Sequence, residues 1–149
     1  MHLAELNIAR LLAPTDDPKV TEFMENLDRI NGMGKRMPGF VWMMEGSGEE
    51  NIGNTETKLF DDPQYVSNLT VWEDFESLST FVHQTLHAKF MARKGEWFHH
   101  FGKPQFVMWW IEEGHQPTLD EALERLTHLQ DNGDSDHAFG WDWMRQKVL

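Results

Sequence analysis

The sequence predicts an α+β fold, and three observations carry the prediction. Four apolar runs have strand length and composition: "LAELNIARLL" (3–12), "FVWMME" (40–45), "YVSNLTVW" (65–72) and "FVMWWIE" (106–112). Apolar residues at helical spacing follow the first, third and fourth runs. Glycine-, proline- and asparagine-rich punctuation separates the rest. The resulting order, β-α-β-β-α-β-α, is the ferredoxin-like split βαβ pattern with one helix added. It implies an antiparallel four-stranded sheet with helices on one face.

Each element has a local cause. After the first strand, "PTDDP" sets a helix start, with Asp17 as N-cap and Pro18 in the first turn. Val20, Phe23, Met24, Leu27 and Ile30 then form one stripe of a helix expected over 19–35, which "MPG" (37–39) ends. The second and third strands flank "GSGEENIGNTET" (46–57), a polar, glycine-rich hairpin loop. Asp74 caps a long helix expected over 75–98. "TLDE" (118–121) reads as a capping box that opens a third helix to about 130. The tail "AFGWDWMRQKVL" carries two tryptophans, so the segment 133–149 is expected to dock on the single domain, 1–149.

Bulk properties exclude several function classes. A net charge of −12 opposes binding to a phosphate backbone, so no nucleic-acid partner is expected. The absence of cysteine removes disulfides, thiolate metal sites and cysteine nucleophiles. No apolar stretch approaches the ~18 residues needed to span a membrane. "MHLAELNIARLL" lacks the basic start of a signal peptide, so a cytoplasmic location is expected. Seven tryptophans and ten phenylalanines fit either an aromatic core or a pocket for a flat, apolar ligand.

The fourth strand is apolar on both sides. Phe106, Met108 and Trp110 point one way; Val107, Trp109 and Ile111 point the other. If helices cover one face, something else must cover the second. The expected cover is the same face of a second subunit, giving a sheet-to-sheet homodimer; the third helix or the tail is the alternative within one chain.

Two groups of residues could carry chemistry. His83 and His87, four apart, would share the edge of the apolar stripe of the second helix. They fall short of a zinc or non-haem iron site, which needs a third ligand that one helix cannot supply. Asn68 and Trp72, four apart on a strand, share one face. An inward asparagine there needs a hydrogen-bond partner, either a backbone group or the carbonyl or enolate of a ligand. Asn7 could join Asn68 in the same cleft. His115 could cap a turn or close a pocket. No dinucleotide fingerprint, P-loop or nucleophile elbow is present.

The stretch "NLTVWEDFESLSTFVHQTLHAKF" resembles the antibiotic-biosynthesis monooxygenase pattern of the dimeric α+β barrel superfamily. There a strand ends in an aromatic residue, an acidic or serine turn follows, and the next helix carries a histidine. "FDDP", "HAKFMARKGEWF" and "MWWIEEGHQPTLDEALERL" resemble an uncharacterised bacterial family within it, known as a domain of unknown function. The resemblance implies a dimeric α+β barrel and a monooxygenase-like oxidoreductase acting on a small aromatic or polyunsaturated compound. It also implies two versions of the site. In the haem version, His87 is the axial ligand and metal-binding residue, His83 is secondary, and Phe90, Trp97 and Trp109 line the porphyrin. In the cofactor-free version, Asn68 and Trp72 act with Arg93 on a substrate anion that reacts directly with dioxygen. A binding protein for haem or a hydrophobic small molecule, without turnover, is the alternative. Fold alone does not choose among these.

Overall fold

A computed structural model describes residues 1–44 and 59–147; the expected loop at 46–57 lies outside them. The strands are β1 (His2–Arg10), β2 (Phe40–Met43), β3 (Tyr65–Trp72) and β4 (Phe106–Ile111). They form one antiparallel sheet in the order β2-β3-β1-β4. The helices are α1 (Thr21–Glu25), α2 (Leu27–Lys35), α3 (Phe75–Gln84), α4 (Leu86–Ala92), α5 (Leu119–Asn132) and α6 (Trp141–Lys147). The architecture is the ferredoxin-like α+β fold that the sequence predicts. Among the described residues, no helix is long and apolar enough to cross a membrane.

Two helices expected to be continuous are each broken. Asp17 accepts a hydrogen bond from the Lys19 amide and caps a 3₁₀ turn at Pro18–Val20, as expected of it. The helix that follows breaks at Asn26, whose side chain donates to the Glu22 carbonyl at 2.7 Å. The longer helix breaks at Thr85, which is fully extended (φ −122°, ψ −172°). Its hydroxyl donates to the Phe81 carbonyl at 2.6 Å and accepts from the His87 amide at 3.2 Å. Threonine thus ends α3 and caps α4 with one side chain, which is why it competes with a continuous helix. The consequence is that His83 and His87 do not share a helix, and their spacing of four no longer sets a common face.

The expectation of helices on one face also needs correction. Leu3, Trp72 and Met108 pack under α2, α3 and α6, and Leu11 and Val66 pack with Val20, Met24 and Leu27. The opposite face, built from Ala4, Leu6, Ile8, Leu69, Val71, Val107, Trp109 and Ile111, packs against Ala122, Leu126 and Leu129 of α5. The third helix of the sequence therefore covers the second face within one chain. The sheet-to-sheet homodimer loses the premise that called for it. The physical reason is simple: α5 carries its own apolar stripe, and burying it on the sheet satisfies both surfaces at once.

The segment after α5 packs along β4. Phe139 exchanges two backbone hydrogen bonds with Met108 on the free edge of β4 (2.8 and 3.0 Å). Trp141 then stacks on Phe106, with ring centroids 4.9 Å apart and planes at 12°. Between α2 and β2, Gly39 holds a left-handed φ of +84°, and a Cβ there would run into the Ser77 side chain. Only glycine lets α3 close this tightly over the start of β2.

Candidate functional site

The helix-covered face carries its polar residues in one band. By the alternation of a strand, Leu3, Glu5, Asn7 and Ala9 of β1 share this face with Val66, Asn68, Thr70 and Trp72 of β3. The register sets Glu5 opposite Thr70 and Asn7 opposite Asn68. Apolar clusters lie at both ends, around Trp72 and around Leu11 and Val66, and Phe90 of α4 packs against both. Phe106 and Met108 flank the band on β4, opposite Asn7 and Glu5. The result is a polar seam across an otherwise apolar layer.

Within the seam, Trp72 donates its indole N–H to Thr70 Oγ1 at 2.9 Å, and Thr70 Oγ1 donates to Glu5 Oε1 at 2.6 Å. Glu5, Thr70 and Trp72 are all buried. Burial pushes the Glu5 carboxyl up to about 8, and the Thr70 hydrogen bond offsets only part of that rise. Asn7 and Asn68 are half-buried. Their side-chain amides make no hydrogen bond among the described residues.

The residues named from the sequence are partly brought together. Asn68 and Trp72 do share the face and the seam. The Trp72 ring is sandwiched into the core, stacked on Phe81 at 5.4 Å and edge-on to Phe40 at 5.5 Å. His87 sits against Phe81, with ring centroids 5.0 Å apart, and its Nδ1 lies 3.3 Å from the Val82 carbonyl. A carbonyl only accepts, so Nδ1 carries the proton and Nε2 keeps its lone pair. Burial holds the His87 imidazole below its usual value, against a smaller opposing effect of the Val82 bond, so the ring is neutral at neutral pH.

Other expected members lie apart. Arg93 is bidentate to Glu22 at 2.6 Å, bonds Glu96 at 2.7 Å and sits 4.8 Å from the Trp97 ring centre. These bonds hold its guanidinium on the surface, so it does not supply the third group of the Asn68–Trp72 set. His83 is exposed, with Nδ1 3.1 Å from the Ser79 carbonyl and its ring edge-on to Trp141 at 4.7 Å. Trp97 is buried between Phe23 and Phe90. Trp109 lies on the opposite face of the sheet, against α5, and donates to Glu121 at 2.9 Å. The set His87, His83, Phe90, Trp97 and Trp109 therefore surrounds no common space. His115 bonds Glu121 at 2.7 Å and closes a turn. Glu121 is thereby engaged away from the Thr118 amide: Thr118 caps α5, but the return half of the capping box is not made.

Comparison with known families decides the relationship. The family described as "Domain of unknown function (DUF3291)" matches residues 2–147. The chain belongs to the DUF3291 family. A comparison with curated proteins finds no match. Among solved structures, it is similar to SnoaB, a cofactor-independent oxygenase from Streptomyces nogalater, at 14% identity and a TM-score of 0.46, covering 80% of this chain and 98% of that one. It is also similar to a protein of Chloroflexus aurantiacus J-10-fl assigned as an antibiotic biosynthesis monooxygenase, at 14% identity and a TM-score of 0.47, covering 78% and 98%.

In this DUF3291 chain, the residue that sequence reasoning missed is Glu5. Its signal is present: a carboxylate between Ala4 and Leu6, two residues from Asn7 and therefore on the same face. Thr70, equally unnoticed, lies midway between Asn68 and Trp72 and connects Trp72 to Glu5.

Proposed function

We propose that this protein is a monooxygenase-like oxidoreductase that works without a cofactor. Its substrate is a small aromatic or polyunsaturated compound held between the sheet and helices α2 to α4. The observation that carries this reading is Asn68: a half-buried amide with no hydrogen-bond partner among the described residues, on the same face of β3 as Trp72, in a seam walled by aromatic and aliphatic side chains. Such an amide donates well to a substrate oxygen that gains negative charge.

The chemistry suited to it starts with a methylene made acidic by conjugation to a carbonyl through an aromatic ring, as in anthrone. Loss of one C–H proton to solvent leaves an enolate whose oxygen accepts from Asn68. The enolate carbon then reduces dioxygen. One oxygen atom stays as a new carbonyl, and the other leaves as water with the two methylene hydrogens. The haem version has less support, because the residues it needs do not converge: Trp109 is across the sheet and Trp97 is packed between Phe23 and Phe90.

The test is oxygen uptake with anthrone as substrate. Wild type is expected to consume one dioxygen per anthraquinone formed. Asn68→Ala is expected to lose on the order of 100-fold in kcat, as for one oxyanion donor. Saturable anthrone binding with no oxygen uptake would replace this reading with a binding protein. Hemin titration is the companion check: a Soret band saturating at one haem per chain and lost in His87→Ala would overturn the cofactor-free form.

A further inference from the structure

We infer that Glu5, Asn7 and Asn68 form a three-donor cradle for a ligand oxyanion, so that the ligand is a flat phenolate or enolate. The inference deepens the proposed reading and rests on it for the location of the ligand. The residues are adjacent by register: Asn7 faces Asn68, and Glu5 lies two residues along the same face, opposite Thr70.

The direction of the hydrogen bonds makes Glu5 a donor. Trp72 Nε1 gives its proton to Thr70 Oγ1, so the Thr70 hydroxyl proton is directed at Glu5 Oε1. Oε1 is thus committed as an acceptor. A neutral Glu5 then carries its proton on Oε2, for which no hydrogen bond exists among the described residues. Burial favours that neutral form at pH 7. Among the described residues, no charged side chain contributes to the shift and Thr70 from β3 is the hydrogen-bond partner, with Met108 opposite on β4. On the same side of the sheet, His87 of α4 rests against Phe81 and is neutral. A buried neutral carboxylic acid and two amides, with no cation among them, suit an oxygen whose charge is spread over an aromatic system. An inorganic anion or a simple carboxylate gains nothing from the apolar walls.

The test uses 2,4-dinitro-1-naphtholate, a flat phenolate that stays ionised across the pH range, with tryptophan quenching as the readout from pH 6 to 10. Wild type is expected to bind it with constant Kd to about pH 7. Affinity is then expected to fall about tenfold per pH unit above 8, as Glu5 loses its proton and presents a like charge. Glu5→Gln keeps both the Thr70 bond and a donor but cannot ionise, so its profile is expected to be flat at the wild-type low-pH Kd. Glu5→Leu is expected to bind weakly at every pH. Carbon-13 NMR of the wild-type side-chain carboxyls checks the same group without a variant, as a resonance titrating near 8.

A Glu5→Gln profile that falls as in wild type overturns the cradle, as does a flat wild-type profile or no saturable binding. Anthrone oxidation, measured in parallel, separates the two readings. The expected naphtholate profile without oxygen uptake keeps the cradle and removes the oxygenase. Oxygen uptake that depends on Asn68 but is the same in Glu5→Gln, with matching naphtholate profiles, does the reverse.

Discussion

The two faces of the sheet each enclose a carboxyl group, and they treat it in opposite ways. On the α5 face, Glu121 accepts from the Trp109 indole at 2.9 Å and from His115 at 2.7 Å. Burial pulls its pKa upward, but the two donors outweigh burial and hold it below the usual carboxylate range. On the face covered by α2 to α4, Glu5 receives one hydrogen bond, from Thr70, and is enclosed more completely; burial wins and its pKa rises to about 8. The difference lies in which polar groups are engaged. On the α5 face Glu121 is fully engaged, although Ser67 Oγ and His128 Nδ1 are buried there without a hydrogen-bond partner among the described residues. The other face keeps a neutral acid and two half-buried amides with no side-chain hydrogen bond among the described residues, an arrangement that suits a ligand.

The sharpest way to break the comparison is to remove the ionisation. Native Glu5 holds its proton up to about pH 8, while the unfolded chain releases it near 4.5. The native state therefore binds more protons between those values, and stability falls as pH rises through that window and is flat above it. Glu5→Gln is expected to lack this fall, and at pH 9 to be more stable than wild type by up to roughly 5 kcal/mol. Urea unfolding at pH 5 and pH 9 measures it; equal pH trends would place the carboxyl in water rather than in the seam.

The matching change on the other face should have the opposite sign. Glu121→Ala leaves the Trp109 indole N–H buried without an acceptor and is expected to destabilise by about 1–3 kcal/mol. Because Glu121 is held below the usual range, its contribution is present at neutral pH and is lost as pH falls through its folded value. Thermal melts from pH 7 down to 3 would show the gap between wild type and variant closing.

Gly39→Ala sharpens the packing side of the comparison. Its positive φ and the Ser77 side chain leave no room for a methyl group. A loss of roughly 1–2 kcal/mol is expected, together with altered near-ultraviolet circular dichroism from Trp72 as α3 shifts. The smallest effect is expected from Arg93→Ala. Its bonds to Glu22 and Glu96 are at the surface, so the melting temperature should move little, and less still in high salt.

The four strands and the apolar character of both faces of β4 were legible because strand-length runs and period-2 alternation encode them directly. Asn68 and Trp72 sharing a face follows from the same rule. The helix breaks were not legible. Thr85 and Asn26 are acceptable helix residues by propensity, and only their bonds to the Phe81 and Glu22 carbonyls turn them into breaks. The cover of the second face was misassigned for a different reason. The stripe Ala122, Leu126, Leu129 shows that α5 is buried, but a stripe carries no address, so a second subunit seemed needed where one helix suffices. Arg93 was matched by resemblance alone, and the acidic partners that claim it, Glu22 above all, are distant in sequence. Glu5 was overlooked because a single glutamate in a strand reads as a solvent-facing residue until the helices above it are in place.

The backbone pairing of Phe139 with Met108 has a bearing on how the protein behaves in a crowd. β4 is an outer strand, apolar on both sides, and unpaired outer strands of that kind recruit strands from other molecules. Phe139 occupies the middle of that ladder with two hydrogen bonds, while Trp141 covers Phe106. The segment thus works as a stopper for intermolecular sheet growth. A chain cut after Gly133 is expected to associate through β4 into β-rich aggregates, with thioflavin T fluorescence as the readout.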